Sequence, residues 1–216
     1  MKKTGFALLL FVLVTSGVMN AQETTGGEMR TIFGSNDKIT HGGYGALLIN
    51  YSQINDKDAV LVGARGGWII NHGITIGIGG YGFANQLNYK DFQVGNKVYD
   101  KVFLSGGYGG LLVEPILFPF SPIHVAIPVI IGAGGAAYVN DYYYGNPGNE
   151  WEYYTIDSSP FFVVEPGVEV EFNMVKFMRI GLGAYYRYTS GLDLVNTDEH
   201  ALDGFSTGIS LKFGKF

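Results

Sequence analysis

The chain has 216 residues, 14 basic against 19 acidic side chains, 47% apolar residues, 33 glycines and no cysteine. A formal net charge of −5 without a basic stripe argues against a nucleic-acid binder, and the missing cysteine excludes both disulfide bracing and a lipid-modified cysteine at a mature N-terminus. Apolar residues are abundant, yet beyond the first segment no stretch approaches the roughly 18 uninterrupted apolar residues of a membrane-crossing helix.

The N-terminus reads as a secretory leader. Lys2 and Lys3 form a basic start, 6–14 is an apolar run too short to span a bilayer as a helix, and Ala21 closes a stretch of small and polar residues. The expected organisation is a signal peptide over 1–21, a short periplasmic segment over 22–41 and one barrel domain over 42–216, with no further domain after it. Removing Lys2 and Lys3 takes the 14 basic residues to 12 against 19 acidic ones, a net charge near −7.

From Gly42 onward the chain divides into eight segments rich in Val, Ile, Tyr, Phe and Gly: 43–51, 59–70, 74–86, 101–116, 123–139, 161–172, 177–189 and 204–216. The connections alternate in length. Asn71-His72-Gly73, the corner from Phe118 to Pro122 and the turn 173–176 are short, whereas 87–100, 140–160 and 190–203 are long and 52–58 is intermediate. An even number of strands with short turns at one end and long loops at the other is the plan of an antiparallel up-and-down transmembrane β-barrel of the outer membrane.

Side-chain parity is clearest in the fifth to seventh segments. Phe162, Val164, Val168 and Val170 share one face of the sixth, with Glu165, Gly167, Glu169 and Glu171 on the other; Ile180, Leu182 and Ala184 of the seventh oppose Arg179, Gly181, Gly183, Tyr185 and Arg187. The less apolar face carries Gly and Ala rather than Lys, Thr and Gln, as a crowded narrow lumen requires. Aromatics concentrate at segment ends and predict two interfacial girdles: Tyr51, Tyr81, Phe83, Phe103, Tyr138, Phe162, Tyr186, Tyr188 and Phe205 at one rim, and Trp68, Phe118, Phe120, Phe172 and Phe213 at the other. The first, third and fourth segments alternate poorly. Their pairs Gly79-Gly80, Gly106-Gly107 and Gly109-Gly110 point to bulges or close packing.

The run Gly63-Ala-Arg-Gly-Gly-Trp-Ile-Ile-Asn-His72, with the stretch from Pro166 to Arg187, resembles a family of small Gram-negative outer-membrane β-barrels, similar in plan to the eight-stranded OmpX and OmpA barrels. The resemblance covers most of 31–216. It implies the fold and an outer-membrane location, and it carries no catalytic residues. Phe216 departs from the more familiar ending, because its parity is opposite to that of Ile209, Leu211 and Phe213.

Glu165, Glu169, Glu171, Arg179 and Arg187 form the strongest constellation, a predicted lumenal charge network. Charges inside apolar walls must pair, so a structural plug is the plain reading and an ion or proton path the sharper one. Glu171 is expected to stand directly opposite Arg179 across an odd turn such as 174–176. Tyr142, Tyr143, Tyr144, Trp151, Tyr153 and Tyr154 crowd the third long connection as residues able to contact sugars or a partner, with the lipopolysaccharide headgroups as the other surface they would meet.

Other patterns are weaker. His41, His72, His124 and His200 lack a framing nucleophile motif, although His200 beside Glu199, with Ser190 or Ser206, keeps a membrane hydrolase in view. His72 falls in a turn and His124 at a rim, where an imidazole serves as an ordinary polar residue. Asp193, Asp198, Glu199 and Asp203 match no calcium-loop spacing. Gly77 to Gly82 lacks the lysine and the helix of a phosphate loop.

The expectation is therefore a non-enzymatic integral outer-membrane barrel serving envelope structure or surface interaction through its loops. It has no assigned cofactor, metal or catalytic residue. Its partners are outer-membrane lipid and lipopolysaccharide, a surface ligand or protein, and the barrel-assembly machinery, with no nucleic acid. An outer-membrane lipid-modifying hydrolase or acyltransferase and a small channel are the alternatives.

Overall fold

The computed structural model describes residues 39–55, 57–85, 92–94, 97–99, 102–143 and 151–216, so the expected leader and most of the segment after it lie outside the described residues. Regular structure among the described residues is all strand: β1 (His41–Ile54), β2 (Lys57–Ile70), β3 (Ile74–Ala84), β4 (Phe92–Val94), β5 (Lys97–Tyr99), β6 (Val102–Leu117), β7 (Ile123–Ala126), β8 (Val129–Tyr143), β9 (Trp151–Val175), β10 (Met178–Ser190) and β11 (Gly204–Lys215).

Every pairing is antiparallel, and the sheet closes on itself. β1 pairs with β2 and β11, β10 joins β11 to β9, and β7 and β8 both lie between β6 and β9. β7 and β8 are one wall position broken at Ile127-Pro128, where proline offers no N–H to a ladder and its carbonyl instead accepts from Gly167 N at 2.8 Å. Counted by wall position, the barrel has eight strands, and β4 and β5 form a separate two-stranded hairpin within a long connection.

Local chemistry explains the tight ends. Asn71 and His72 take φ of 54° and 58°, the two positive angles of a mirror-image hairpin turn, and Ile70 then faces Ile74. Asn55, with φ of 52°, turns β1 into β2. The connection expected over 52–58 shrinks accordingly, because β1 runs to Ile54 and β2 starts at Lys57.

The expected loop 140–160 is mostly sheet. β8 continues to Tyr143 and β9 begins at Trp151, with Tyr143 opposite Trp151 and Asn140 opposite Tyr154, because aromatic and β-branched residues outweigh the intervening Asn and Asp as strand formers. The turn between β9 and β10 also differs from expectation. It is Lys176-Phe177, and a register shift at Met178/Arg179 sets Arg179 opposite Asn173 and Gly181 opposite Glu171.

The outer wall is apolar. Leu47, Ile49, Val62, Ile78, Leu111, Ile131, Leu182 and Ile209 are all exposed on a surface that water would penalise and lipid would not. Tyr51, Phe162, Tyr186, Tyr188 and Phe205 ring the end with long connections, and Trp68, Phe118, Phe120 and Phe213 ring the other, with Phe177 added to it. Tyr81, Phe83 and Tyr138 are buried in the lumen instead, a correction to their place in the girdle. The glycine pairs mark close packing rather than bulges, since β3 and β6 keep one register throughout, with Gly80 against Gly109 and Gly82 against Gly107. Closed backbone pairing, a lipid-compatible wall and two aromatic belts make this an outer-membrane β-barrel.

Candidate functional site in the barrel lumen

Glu165, Glu169, Glu171, Arg179 and Arg187 are all buried. The fold adds Arg65 from β2, Glu114 from β6, His124 from β7 and Lys212 from β11 to them. These four carboxylates and four cations, histidine apart, share one lumen. Gly167, Gly181 and Gly183 make room for this; a Cβ at Gly167 would stand 2.2 Å from Tyr185 Cδ1.

The half of the lumen nearer the short turns is an ionic lattice. Arg65 Nη2 donates to Glu169 Oε2 at 2.5 Å and lies 3.3 Å from Glu114 Oε2. Lys212 Nζ donates to both Glu114 oxygens at 3.0 and 2.9 Å, contacts Glu171 Oε1 and stands 3.6 Å from Glu169 Oε2. Hydroxyls take up remaining lone pairs: Tyr44 OH donates to Glu114 Oε1 at 2.9 Å, Ser210 Oγ to Glu169 Oε2 at 3.2 Å and Tyr185 OH to Glu169 Oε1. Desolvated charges persist only with such multiple partners.

Glu171 and Arg179 meet, but diagonally. Arg179 Nη1 lies 3.6 Å from Glu171 Oε2, because the shift at Met178/Arg179 moves the arginine away from the directly opposed position. The residue that faces Glu171 across the β7–β9 ladder is His124, with Nε2 2.8 Å from Glu171 Oε2. The assignment of His124 to a rim is thus corrected: it is buried within the network. Phe216 turns inward under the lattice. The Arg179 guanidinium stands 3.8 Å over its ring, and the ring stacks on Tyr44.

Toward the long-connection end the charges thin out. Tyr108 OH donates to Glu165 Oε2 at 2.5 Å, and Arg187 Nε donates to the Leu202 carbonyl at 2.6 Å. Above them the connection 191–203 folds into the mouth. Leu192, Leu194, Ala201 and Leu202 join Ile54, Leu61, Phe83, Leu104 and Phe161 in one apolar cluster. Polar ties hold the loop: Thr189 N and Oγ1 donate to Asp203 Oδ1 at 2.6 and 2.8 Å, Val195 N to Asp157 Oδ2 at 2.7 Å, and Tyr138 OH bonds Thr197 Oγ1 at 2.7 Å.

The weaker sequence candidates separate here. His200 lies 3.2 Å from Glu199 Oε1 and 3.2 Å from Asp203 Oδ2, and among the described residues no serine or threonine hydroxyl is hydrogen-bonded to it. Among the described residues, the one group of acidic or histidine donors close enough to hold a metal ion is Glu114, Glu169 and Glu171, not the loop acids, and the Lys212 ammonium already stands among those carboxylates. His72 Nδ1 pairs with Thr40 Oγ1 at 2.9 Å in the turn. Tyr142 and Tyr143 end β8, Trp151, Tyr153 and Tyr154 open β9, and Tyr144 lies outside the described residues.

Sequence reasoning missed Arg65, Glu114 and Lys212. Lys212 was within reach, since it shares with Ser210 the parity opposite to Ile209, Leu211 and Phe213. Arg65 and Glu114 sit in glycine-interrupted strands without a readable alternation.

No family model matches the chain, and no curated protein matches it. Solved structures similar to it include Neisserial surface protein A, at 11% identity and a TM-score of 0.48 over 83% of this chain and 100% of that one. The N-terminal β-barrel domain of Pseudomonas aeruginosa OprF is similar at 9% identity and a TM-score of 0.42, covering 82% and 99%. The Yersinia pestis attachment invasion locus protein Ail, in complex with the heparin analogue sucrose octasulfate, is similar at 10% identity and a TM-score of 0.40, covering 81% and 97%.

Proposed function

We propose that the protein is a non-enzymatic outer-membrane barrel with a sealed lumen, which acts at the cell surface through its long-connection end. The observation that carries this reading is the double closure of the lumen, by the lattice around Glu169 and by the apolar loop around Leu202. Filled interiors are the rule at eight strands, and a filled interior leaves the rim and its connections as the parts free to meet anything else. Lipopolysaccharide surrounds that rim, a surface ligand or protein meets the connections, and the barrel-assembly machinery inserts the chain.

Two measurements test it. Protein reconstituted in planar bilayers should give no unitary current steps, and regular steps would overturn the sealed lumen in favour of a channel. In intact cells, a tag within 190–203 should be labelled from outside and a tag at Asn71–Gly73 should not; the opposite pattern would reverse the orientation.

A further inference from the structure

We propose that the connection 191–203 is a hinged lid, and that the apolar half of the lumen beneath it receives the chain of a free fatty acid with Arg187 as the partner of its carboxylate. The proposal rests on the surface role argued above and gives it a ligand class. The interior of an outer-membrane barrel is ordinarily polar. Here Leu61, Phe83, Leu104 and Phe161 make the long-connection half apolar, and Leu192, Leu194, Ala201 and Leu202 of the lid complete it. Those four lid side chains hold about 13 carbons, the content of a medium-length acyl chain.

Arg187 selects the head group. Arg65, Arg179 and Lys212 each reach a carboxylate, whereas Arg187, fully buried, has no ion pair among the described residues. Its Nε donates to the Leu202 carbonyl at 2.6 Å, its Nη2 comes to 3.5 Å from Ser52 Oγ, and its Nη1 has no hydrogen-bond partner among the described residues. Glu165 accepts from Tyr108 OH instead. A desolvated guanidinium held by a neutral carbonyl is under-satisfied, and a carboxylate matches its planar fork. The carbonyl that holds it belongs to the lid, so lifting the lid frees the cation and the apolar space in one movement.

The lid is built to move as a piece. Thr197, Ala201 and Asp203 N donate to the carbonyls of Leu194, Asp198 and His200, so it carries its own turns, and Asn55 N to Ala201 O at 2.8 Å joins its backbone to the end of β1. Gly191 at its root has φ of 90°, and nothing lies within 4 Å of where a Cβ would stand, which leaves that root room to turn. The lattice around Glu169 takes no part in this movement and keeps the barrel closed to ions while the lid is up.

The test is a titration of isotope-labelled myristate into the full-length protein in phospholipid nanodiscs, followed by the NMR shift of its carboxyl carbon against a background of empty nanodiscs. Saturable binding is expected. Tetradecanol, with the same chain and no charge, should displace it at least about tenfold more weakly, and Arg187→Gln should weaken myristate about tenfold while leaving tetradecanol within about twofold. The chain has no cysteine, and Asp193 N donates to Ser159 Oγ at 2.8 Å, so Ser159→Cys with Asp193→Cys places one thiol pair where a disulfide pins the lid to β9. Binding should be lost on oxidation and return on reduction. No saturable binding, tetradecanol as tight as myristate, or undiminished binding to the oxidised pair would overturn the proposal. A failed titration would leave the sealed lumen standing, and current steps in bilayers would leave the titration standing.

Discussion

Near the short turns the lumen is filled by charged side chains, and near the long connections it is filled by a folded loop. In the first region Glu114, Glu169 and Glu171 share Arg65, Arg179, Lys212 and His124, and each side chain comes from a strand that the closed sheet holds in place. In the second, Leu192, Leu194 and Leu202 come from a connection tied by a few hydrogen bonds to Asp157, Thr189 and Tyr138. The contrast teaches that the ionic region cannot loosen without breaking the ring, whereas the apolar region can open as a local unit. Arg187 marks the border. It is fully buried, yet it uses the Leu202 carbonyl and the face of Tyr108, whose ring centroid lies 5.8 Å away.

The largest effect should come from Glu169→Ala, which takes the hydrogen-bonded carboxylate from Arg65 in a desolvated interior and leaves it Glu114 at 3.3 Å, while Lys212 keeps Glu114 and Glu171. A loss of about 3 to 5 kcal/mol is expected from the urea midpoint of the protein in lipid vesicles. The double variant with Arg65→Ala should recover part of it, and strict additivity would show that the two charges do not cooperate.

Next is Leu202→Ala in the loop. It should cost about 2 to 3 kcal/mol, at the low end of the range for large-to-small core changes because a connection can collapse around the gap. Its signature should be local: faster protease cleavage within 191–203 while the barrel band on unboiled gels persists. Loss of the whole barrel at the same rate of cleavage would erase the distinction between the two regions.

Arg179→Ala tests the lattice at its edge. Glu171 keeps Lys212 and His124, so about 1.5 to 3 kcal/mol is expected from loss of one charged contact, less than for Glu169→Ala. An equal loss would mean that the lattice is one indivisible unit. The smallest change, Tyr138→Phe, removes the bond to Thr197 and should cost about 0.5 to 1.5 kcal/mol, read as faster amide exchange in the loop with the lattice unaffected.

How much of this was legible depended on whether a strand faces two unlike environments. β9 and β10 meet aliphatic lipid on one side and charged neighbours on the other, so Glu165, Glu169, Glu171, Arg179 and Arg187 announced themselves by parity. β3 and β6 were opaque because glycine serves both faces, relieving crowding within and allowing close packing without. His124 and Glu171 stand 47 residues apart in the chain with β8 between their strands, and no local signal sets their register. The Lys176-Phe177 turn and the shift beside it moved Arg179 off the directly opposed position while preserving its face, since the shift restores the parity that the two-residue turn would have reversed.

The amino-acid order by itself determined the number of strands, the short and long ends, and which face of β9 and β10 turns inward, because strand periodicity and turn chemistry are properties of neighbours in sequence. Only the closed barrel decided that Arg65 meets Glu169, that Lys212 stands among three carboxylates, and that Leu202 fills the mouth. Those contacts join residues far apart along the chain, and ring closure brings together what no period of two or three residues can encode.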